Sequence, residues 1–377
     1  MEFRDLKTQY LQNKTAIDSA IQSVLLSSHF IGGEPVSQLE EKLSDYVGVK
    51  HCITCANGTD ALQLALMAFG IGEGDAVFVP DFTFFSTAEV VPWVKATPIF
   101  VDVEQDTFNI SARSLEEAVL NVTKEGKLIP KAVVAVDLFG QTADFPKIRK
   151  ITQKYNMLLL EDGAQGFGGS IAGQKACSFG DIATTSFFPA KPLGCYGDGG
   201  AVFTNNDEWA ELIRSYKVHG KGTNKYDNVR LGMNSRLDTL QAAILLAKMK
   251  KIDDEIKRVN EWADLYTKLL KNHIKCPVVM PGFYSSWAQY TILLKNSKQR
   301  ENIQKELNKY DIPTMIYYAK GMHQQKALMQ YSNINQKYPV TESVCERCLS
   351  LPMHPYLKEE DIDIVVNKLC DSLGLSL

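Results

Sequence analysis

The first part of the chain contains two kinds of hydrophobic pattern. Short runs that are apolar at almost every position, such as AVFVP, AVVAVDLF and MLLLED, predict strands that are buried on both faces. Other segments have apolar residues at helical spacing, among them residues 15–27 and DFPKIRKITQKYN, for which Asp144 supplies an N-cap. Apolar strands that alternate with helices indicate an α/β fold with a mostly parallel sheet covered by helices, as far as about residue 235.

Capping residues predict where several of these helices begin and end. GEPVSQLEEKLSDYVG is an amphipathic helix closed by Gly48. NGTDALQLALMAFG indicates a turn, a helix start at Thr59 and a helix end at Gly70. SLEEAV opens with Ser114 and Glu117 in capping-box spacing, so a further helix is predicted to start there.

The second part of the chain has a different organisation. A long helix-forming stretch covers 235–272, and from about residue 273 strand-like and helix-like segments alternate. This pattern predicts a smaller α+β domain, and we place the division at a large domain of residues 1–250 and a small C-terminal domain of residues 251–377. Since the sequence has no repeats and no low-complexity linker, the two parts are expected to pack tightly.

Composition and charge narrow the class of protein. The chain has 377 residues, of which 45% are hydrophobic and 23% are charged, as is ordinary for a globular protein. A net charge of -3 gives no electrostatic reason to expect nucleic acid as a partner. The N-terminal MEFRDLKTQY is charged at once, and no stretch reaches the ~18 apolar residues of a membrane span. A cytoplasmic protein with no membrane partner is therefore predicted.

Eight cysteines include two CxxC pairs, Cys52/Cys55 and Cys345/Cys348. A zinc site built from both pairs is one interpretation. The favoured interpretation is buried thiols without a metal, because almost the whole chain separates the pairs and HCITCA has the pattern of a buried strand. No metal is predicted.

Three loops that follow predicted strands carry the candidate chemistry, since ligands of open α/β sheets lie at the carboxyl ends of the strands. ANGTDAL places Asn57, Gly58 and Thr59 at a helix start, where free N–H groups and the helix dipole suit a phosphate. Gly58 permits close backbone approach. The alternative is a plain N-cap by Thr59.

The second and third loops carry a carboxylate and an amine. Asp162 ends the strongly hydrophobic strand MLLLED, where a carboxylate is costly unless it is paired or functional. It could accept a hydrogen bond from a protonated heterocycle; an exposed strand end is the alternative. Lys191 lies between Pro189 and Pro192, and a partly desolvated lysine has a lowered pKa and can attack an aldehyde. A surface lysine is the alternative for that position.

The three loops together are more specific than any one of them. An aldehyde cofactor with a phosphate and a pyridine ring needs a phosphate cradle, a carboxylate for the ring nitrogen and a lysine for the aldehyde. This order along the chain fits the large domain of a pyridoxal 5'-phosphate (PLP) enzyme of the aspartate-aminotransferase type.

Longer segments resemble a known family. CANGTDALQLAL, LLLEDGAQGFG, TSFFPAKPLGCYGDGGA and GMNSRLDTLQAAIL are similar to the DegT/DnrJ family of PLP-dependent sugar aminotransferases, and the likeness extends over essentially the whole chain. It implies fold type I, with a mostly parallel seven-stranded sheet. SFFPAKPLGCYGDGGA further resembles the branch that aminates carbon 3 of a nucleotide-linked sugar, above all enzymes of UDP-linked 3-oxo-glucuronate.

The resemblance also implies roles for individual residues. Lys191 is implied to hold the PLP aldehyde and to carry the proton. The other implied cofactor-binding residues are Gly58, Thr59 and Ser186 at the phosphate, Phe84 on the ring face, Asp162 at the ring nitrogen, Gln165 at the ring hydroxyl, and Asn234, which reaches the phosphate of the neighbouring subunit. A homodimer with shared active sites follows from the last of these. The implied substrate-binding residues are Arg236, Tyr318 and His323.

The implied activity is transfer of an amino group from glutamate, through the PLP and pyridoxamine forms of the cofactor, to the C3 keto group of a UDP-linked 3-oxo sugar. The product would serve cell-surface polysaccharide or lipid A biosynthesis. In IYYAKGMHQQ, Tyr317 stands where close relatives carry histidine. The sugar is therefore expected to be either the uronate or UDP-3-oxo-N-acetylglucosamine.

Three alternatives differ from that activity. One is C4 amination of a 4-keto-6-deoxy nucleotide sugar. A PLP-dependent sugar dehydratase is disfavoured, since such relatives have histidine in place of the lysine at position 191. A non-catalytic regulator on the same fold is disfavoured by intact Lys191, Asp162 and Gln165.

Overall fold

The computed structural model describes residues 1–224, 226–332 and 336–375. Its strands are β1 (His51–Cys55), β2 (Asp75–Pro80), β3 (Thr97–Val101), β4 (Ile129–Val136), β5 (Leu158–Asp162), β6 (Ser170–Ile171), β7 (Gln174–Lys175), β8 (Ile182–Ser186), β9 (Gly200–Thr204), β10 (Phe283–Tyr284), β11 (Tyr290–Leu293) and β12 (Cys348–Leu351).

Helices cover both faces of the main sheet and fill the C-terminal part. They are α1 (Leu6–Ser27), α2 (Glu34–Val47), α3 (Gly58–Ala68), α4 (Ser86–Trp93), α5 (Ala112–Glu125), α6 (Phe145–Lys154), α7 (Asp207–Tyr216), α8 (Thr239–Met249), α9 (Ile252–Leu270), α10 (Ser297–Asn308), α11 (Pro339–Arg347) and α12 (Glu359–Leu373). Within the described part of the chain, no helix is long and apolar enough to cross a membrane.

Seven strands form the central sheet in the order β1-β9-β8-β5-β4-β2-β3. The pairs from β8 through β3 are parallel, whereas β9 runs antiparallel to both β8 and β1. This arrangement confirms the predicted α/β fold with a mostly parallel seven-stranded sheet. Since β1 is parallel to β8, the carboxyl ends of β1, β2, β4, β5 and β8 lie at one edge of the sheet.

Alternating side chains explain why these strands are apolar on both faces. Val77 and Val79 of β2 pack in the core formed with α3 and α4. Ala76 and Phe78 of the same strand pack on the opposite side, in the core formed with α5 and α6. The sheet is therefore buried from both sides.

The helix ends confirm some capping predictions and correct others. Gly48 closes α2 in a left-handed conformation with φ 82°, and Asp144 caps α6 by accepting the N–H of Lys147. The capping box predicted at Ser114 is wrong, because α5 begins one turn earlier and Ser111 accepts the N–H of Ser114. Within NGTDAL, the helix starts at Gly58 and its cap is Asn57, so the helix start predicted at Thr59 is one residue late.

The C-terminal part has its own core. β11 and β12 form an antiparallel pair, and they pack with α9, α10 and α12. The helix-forming stretch 235–272 is divided at Lys250 and Lys251 into α8 and α9. Helix α9 contributes to two cores, since Ile256 packs against the large sheet and Tyr266 packs in the core of the C-terminal part. The division at residue 250 stays a prediction.

Candidate active site

The first loop brings a helix N-terminus against the end of β8. Asn57 caps α3, with its side-chain oxygen 2.8 Å from the backbone nitrogen of Asp60. The next residue, Gly58, lies so close to β8 that a β-carbon would stand 2.7 Å from Cβ of Ser186. Only glycine permits this approach without displacing one of the two elements. The free N–H groups of α3 therefore point to the carboxyl edge of the sheet, beside the Ser186 hydroxyl.

A second helix start meets the first one there. The Thr59 hydroxyl lies 2.8 Å from the hydroxyl of Ser86, the first residue of α4. Because Asn57 performs the capping of α3, the Thr59 hydroxyl is not needed for it. Ser86 is buried and was not identified from the sequence, because serine is common at the start of a helix.

Asp162 lies at the end of β5 and is buried. Its Oδ2 accepts a hydrogen bond from the Thr87 hydroxyl at 2.9 Å, and its Oδ1 accepts the N–H of Ala164 at 3.2 Å. Burial raises the pKa of Asp162, while the Thr87 hydrogen bond and the positive charge of Lys191 oppose the rise. Thr87, also missed in the sequence, thus fixes the carboxylate that faces Lys191.

Lys191 is half-buried in the loop after β8. Its backbone N–H donates to the Phe188 carbonyl oxygen at 2.9 Å. Burial lowers the pKa of its amine to about 8. The attraction of Asp162 opposes this shift, and the repulsion of Arg4 adds to it. An amine with a pKa near neutrality is available both as a nucleophile and as a proton carrier. The side chain therefore does not extend freely into bulk solvent.

Gln165 has a fixed orientation. Its Oε1 accepts the backbone N–H of Phe139 at 2.7 Å, and its Nε2 donates to the Tyr318 hydroxyl at 3.2 Å. Because a backbone N–H can only donate, the amide oxygen must face Phe139 and the amide nitrogen must face Tyr318. Gln165 therefore offers hydrogen-bond donors, not acceptors, on the Tyr318 side.

Three aromatic residues after β2 have different environments. Phe84 is 54% exposed, and its ring centroid lies 6.3 Å from that of Tyr318. Phe82 is 1% exposed and belongs to a hydrophobic core, while Phe85 packs against another core. Of the three, Phe84 has the most exposed ring, and its contact with the cofactor stays a prediction.

His323 is held by the protein itself. Its Nδ1 lies 2.6 Å from Oδ2 of Asp81, its backbone N–H donates to Oδ1 of the same carboxylate, and its ring stacks on Tyr338. Burial lowers the pKa of His323, but the hydrogen bond to Asp81 and the negative charges of Asp81 and Glu342 together outweigh burial, so the net shift is upward. The imidazole thus anchors its loop to the residue after β2, and its substrate contact stays a prediction.

Asn234 and Arg236 lie on the surface of the single chain. Ser235 between them is buried and accepts the N–H of Ala56, next to the cap of α3. The neighbours on either side of it are exposed. Successive residues of an extended segment point in opposite directions. The two predicted binding residues therefore face away from their own chain.

The cysteines are buried in separate places. Cys52 and Cys55 lie on β1, whereas Cys345 and Cys348 lie in a core between α11 and β12. Burial raises the pKa of the Cys55 thiol to about 12, which disfavours the thiolate that a metal requires. Across residues 1–224, 226–332 and 336–375, no group of three or more His, Cys, Asp or Glu side chains could hold a metal ion.

The groups at the carboxyl edge fit PLP. A cradle of helix N–H groups beside Ser186, a buried carboxylate at Asp162 and an amine of lowered pKa at Lys191 match the phosphate, the ring nitrogen and the aldehyde. The fold and these groups define a PLP-dependent enzyme with the architecture of aspartate aminotransferase.

Comparison with known proteins gives the family. Residues 12–370 match the DegT/DnrJ/EryC1/StrS aminotransferase family, and the chain belongs to this family. The protein is a PLP-dependent sugar aminotransferase, as the resemblance in the sequence implied.

Similar proteins cover almost the whole chain. UDP-2-acetamido-2-deoxy-3-oxo-D-glucuronate aminotransferase of Pseudomonas aeruginosa is 44% identical over 97% of this chain and 98% of its own length. A pleiotropic regulatory protein of Geobacillus stearothermophilus is 40% identical over 97% of both chains. UDP-N-acetyl-3-dehydro-alpha-D-glucosamine 3-aminotransferase of Acidithiobacillus ferrooxidans is 38% identical over 95% of this chain and 94% of its own. A solved DegT/DnrJ/EryC1/StrS aminotransferase from Brucella abortus superposes with a TM-score of 0.96 and 46% identity, over 98% of this chain and 99% of that one.

Proposed function

We propose that the protein transfers an amino group from glutamate to the C3 keto group of a UDP-linked 3-oxo sugar, for cell-surface polysaccharide or lipid A biosynthesis. Amination of a sugar follows from the family; the donor, the carbon atom, the sugar and the pathway are the proposal. The observation that carries it is the 44% identity, over 97% of the chain, to an enzyme named for a UDP-linked 3-oxo-glucuronate.

The residues around the carboxyl edge have complementary roles in this proposal. PLP, when bound, supplies the aldehyde that accepts the amino group and a ring that withdraws electrons. Asp162 keeps the ring nitrogen protonated, and Gln165 donates to the ring hydroxyl through the amide nitrogen that Phe139 orients outward. Lys191 holds the aldehyde and then moves a proton with its amine, whose pKa of about 8 suits both directions.

The phosphate would be held by residues of two subunits. The N–H groups at the start of α3 and the hydroxyls of Thr59 and Ser186 would bind one side of it. Ser86, bonded to Thr59, orients that hydroxyl. The remaining contact is Asn234 of the second subunit in a homodimer.

Surface exposure supports the dimer. Leu231 is 93% exposed, and Val229 beside it is more than half exposed, in the segment that leads to Asn234 and Arg236. Phe188, three residues before Lys191, is also exposed. Large apolar side chains clustered on a surface mark interaction sites. Pairing these surfaces would bring Asn234 of each subunit to the cradle of the other.

Arg236 and the loop that follows Ile312 support two candidate sugars. Arg236 of the second subunit offers a guanidinium that binds a carboxylate in two-pronged fashion, which suits a uronate. Tyr317 in place of histidine suits the sugar without a carboxylate, UDP-3-oxo-N-acetylglucosamine, as does the relative named for that substrate. His323 contributes by fixing this loop on Asp81.

The direct experiment supplies purified protein, PLP and glutamate with a panel of 3-oxo and 4-oxo UDP- and dTDP-sugars and measures 2-oxoglutarate. We expect turnover with a UDP-linked 3-oxo sugar, and NMR of the product should show the new amine on carbon 3. Lys191→Ala is the inactive control. Turnover with 4-oxo sugars alone would establish the C4 alternative instead.

One relative is named as a regulatory protein, so an experiment must distinguish a catalyst from a protein that only binds PLP. The half-buried Lys191 amine and its electrostatic attraction to Asp162 support catalysis. A visible absorption band of bound PLP that is lost in Lys191→Ala supports it further. Persistence of the same band in that variant contradicts a covalent role for Lys191.

A further inference from the structure

The N-terminal segment reaches the loop that carries Lys191 through one side chain. Nε and Nη2 of Arg4 both donate to the carbonyl oxygen of Ala190, at 3.0 and 2.7 Å. Nη1 of the same guanidinium donates to the carbonyl oxygen of Met353 at 3.0 Å. Three distant segments of the chain therefore meet at Arg4, immediately beside Lys191.

The bonded carbonyl belongs to the peptide unit that leads into Lys191. The N–H of that same peptide unit donates to the Phe188 carbonyl oxygen at 2.9 Å. Both polar groups of the Ala190–Lys191 peptide are thus occupied, and Pro189 and Pro192 restrict the backbone on either side. The direction in which the Lys191 side chain leaves the backbone depends on this peptide plane.

A second cation holds the other end of the loop. Lys248 of α8 is buried, and its Nζ donates to the carbonyl oxygen of Gly194. The Nζ atom also lies 4.9 Å from the centroid of the Tyr196 ring. The loop is therefore fixed by cations on the two sides of Lys191, of which Arg4 is the one adjacent to it.

We propose that Arg4 is a positioning residue for Lys191, which holds the Ala190–Lys191 peptide in the orientation that directs the amine to the cofactor site. The proposal rests on the proposed role of Lys191. Arg4 is not among the proposed cofactor-binding residues, and it acts on Lys191 through the Ala190–Lys191 peptide. Arginine suits this position because its guanidinium donates to both carbonyl oxygens at once, whereas lysine offers a single compact charge.

The charge of Arg4 also acts on the Lys191 amine. Repulsion by the guanidinium lowers the pKa of the amine, in the same direction as burial, whereas Asp162 raises it. The other ionisable side chains around the small cavity beside Lys191 are Asp5, Glu255, His354 and Tyr356. Removing the Arg4 charge therefore leaves Lys191 more fully protonated at neutral pH.

The test uses two variants of the whole chain. Arg4→Met removes the charge and the hydrogen bonds but keeps an apolar stem, and Arg4→Lys keeps the charge without the two-pronged contact. Lys7→Met is the control, because it removes an exposed positive charge from the same segment. Labelling of the Lys191 amine by acetic anhydride, in protein freed of PLP and read by mass spectrometry, reports the fraction of neutral amine.

For Arg4→Met we expect labelling of Lys191 at pH 7.5 to fall about threefold or more, as removal of a nearby cation requires. Its kcat should fall with little change in the KM for glutamate. Arg4→Lys should label at the wild-type rate while its kcat stays low, and Lys7→Met should match the wild type in both. Wild-type labelling and wild-type kcat in Arg4→Met would overturn the proposal.

Two further outcomes keep the test decisive. If Arg4→Met does not fold, kcat of Arg4→Lys decides: a fall supports the positioning role and a wild-type value overturns it. A visible absorption band that persists in Lys191→Ala would contradict the proposed function. The labelling rates in PLP-free protein would still test the effect of Arg4 on Lys191 independently.

Discussion

At the scale of single residues, a carboxyl group that is buried without enough hydrogen-bond donors has a raised pKa. Asp137 and Glu161 are both fully buried under the site. Glu161 accepts N–H groups from Cys177, Phe179 and Gly180, while Oδ2 of Asp137 has no donor. Burial and then repulsion by Glu161 raise the pKa of Asp137, and burial raises that of Glu161 to about 7. A proton on Asp137 that is donated to Glu161 satisfies both groups.

The shared proton makes a pH-dependent contribution to stability. A carboxyl group whose pKa is raised on folding binds its proton more tightly in the folded state, so its contribution is complete below the unfolded pKa of about 4 and is lost as the pH rises through the folded pKa. The folded pKa is about 7 for Glu161 and lies well above the usual value for Asp137. We expect the unfolding free energy of the wild type to fall between pH 5.5 and 8.5. Asp137→Asn, whose amide donates at every pH, should lose less, by on the order of 2 kcal/mol.

Urea denaturation at the two pH values measures this difference. Asp144→Asn is a matched control, because it makes the same change of side chain at a position that still caps α6 and has no link to the buried pair. Its unfolding free energy should depend on pH as that of the wild type does. Equal pH dependence in the wild type and Asp137→Asn would show that no proton is shared.

The sequence contained part of this residue-scale information. A carboxylate at the end of a wholly apolar strand identified Asp162, and a lysine between two prolines identified Lys191. Arg4, Ser86 and Thr87 could not be identified in that way, because their partners lie far away in sequence or their residue types are common in any helix start. Contacts of that kind depend on the folded arrangement.

At the scale of elements, the close approach of α3 to β8 forms the cradle. We expect Gly58→Ala to weaken PLP binding by about tenfold or more, because the new β-carbon meets Cβ of Ser186 at 2.7 Å and one of the two elements must shift. Equilibrium titration with PLP measures the affinity, and thermal unfolding of the PLP-free protein measures the fold.

Gly72 provides the control for that substitution. It follows the other end of α3, and the nearest atom to its added β-carbon is the Val94 carbonyl oxygen at 3.9 Å. Gly72→Ala should therefore bind PLP as the wild type does. Unchanged PLP affinity in Gly58→Ala would mean that the start of α3 does not contact the phosphate.

Hydrophobic periodicity predicted the elements better than their ends. The apolar strands and the caps at Gly48 and Asp144 followed from local sequence, since each depends on a few neighbouring residues. The helix start at Ser114 was wrong because Ser111, which is equally suited to capping, lies one turn earlier. A choice between two adequate caps is made by packing of the whole helix, which no short segment encodes.

At the scale of the whole molecule, exposed Leu231 predicts a second subunit. We expect the wild type to sediment as a dimer and Leu231→Asp to shift toward the monomer, because a carboxylate would be buried at the contact. Lys250→Asp, which alters charge on another exposed position, is the control. A monomeric wild type would remove the basis for shared active sites.

Mixed dimers test the sharing itself. Lys191→Ala subunits lack the amine, and Asn234→Ala subunits lack the proposed phosphate ligand. A mixture should regain activity, since one site of each hybrid dimer has Lys191 from one subunit and Asn234 from the other. No recovery of activity on mixing would contradict a site completed by the second subunit. Such a shared site cannot be demonstrated from the sequence pattern of a single chain.

The central claim is that Lys191, facing Asp162, is the lysine that carries PLP. Reduction of the PLP-bound protein with sodium borohydride, followed by digestion and mass spectrometry, identifies that lysine directly. The expected result is a single pyridoxyl group on Lys191. A pyridoxyl group on Lys248 instead, a buried lysine whose pKa is also lowered to about 8, would contradict the claim.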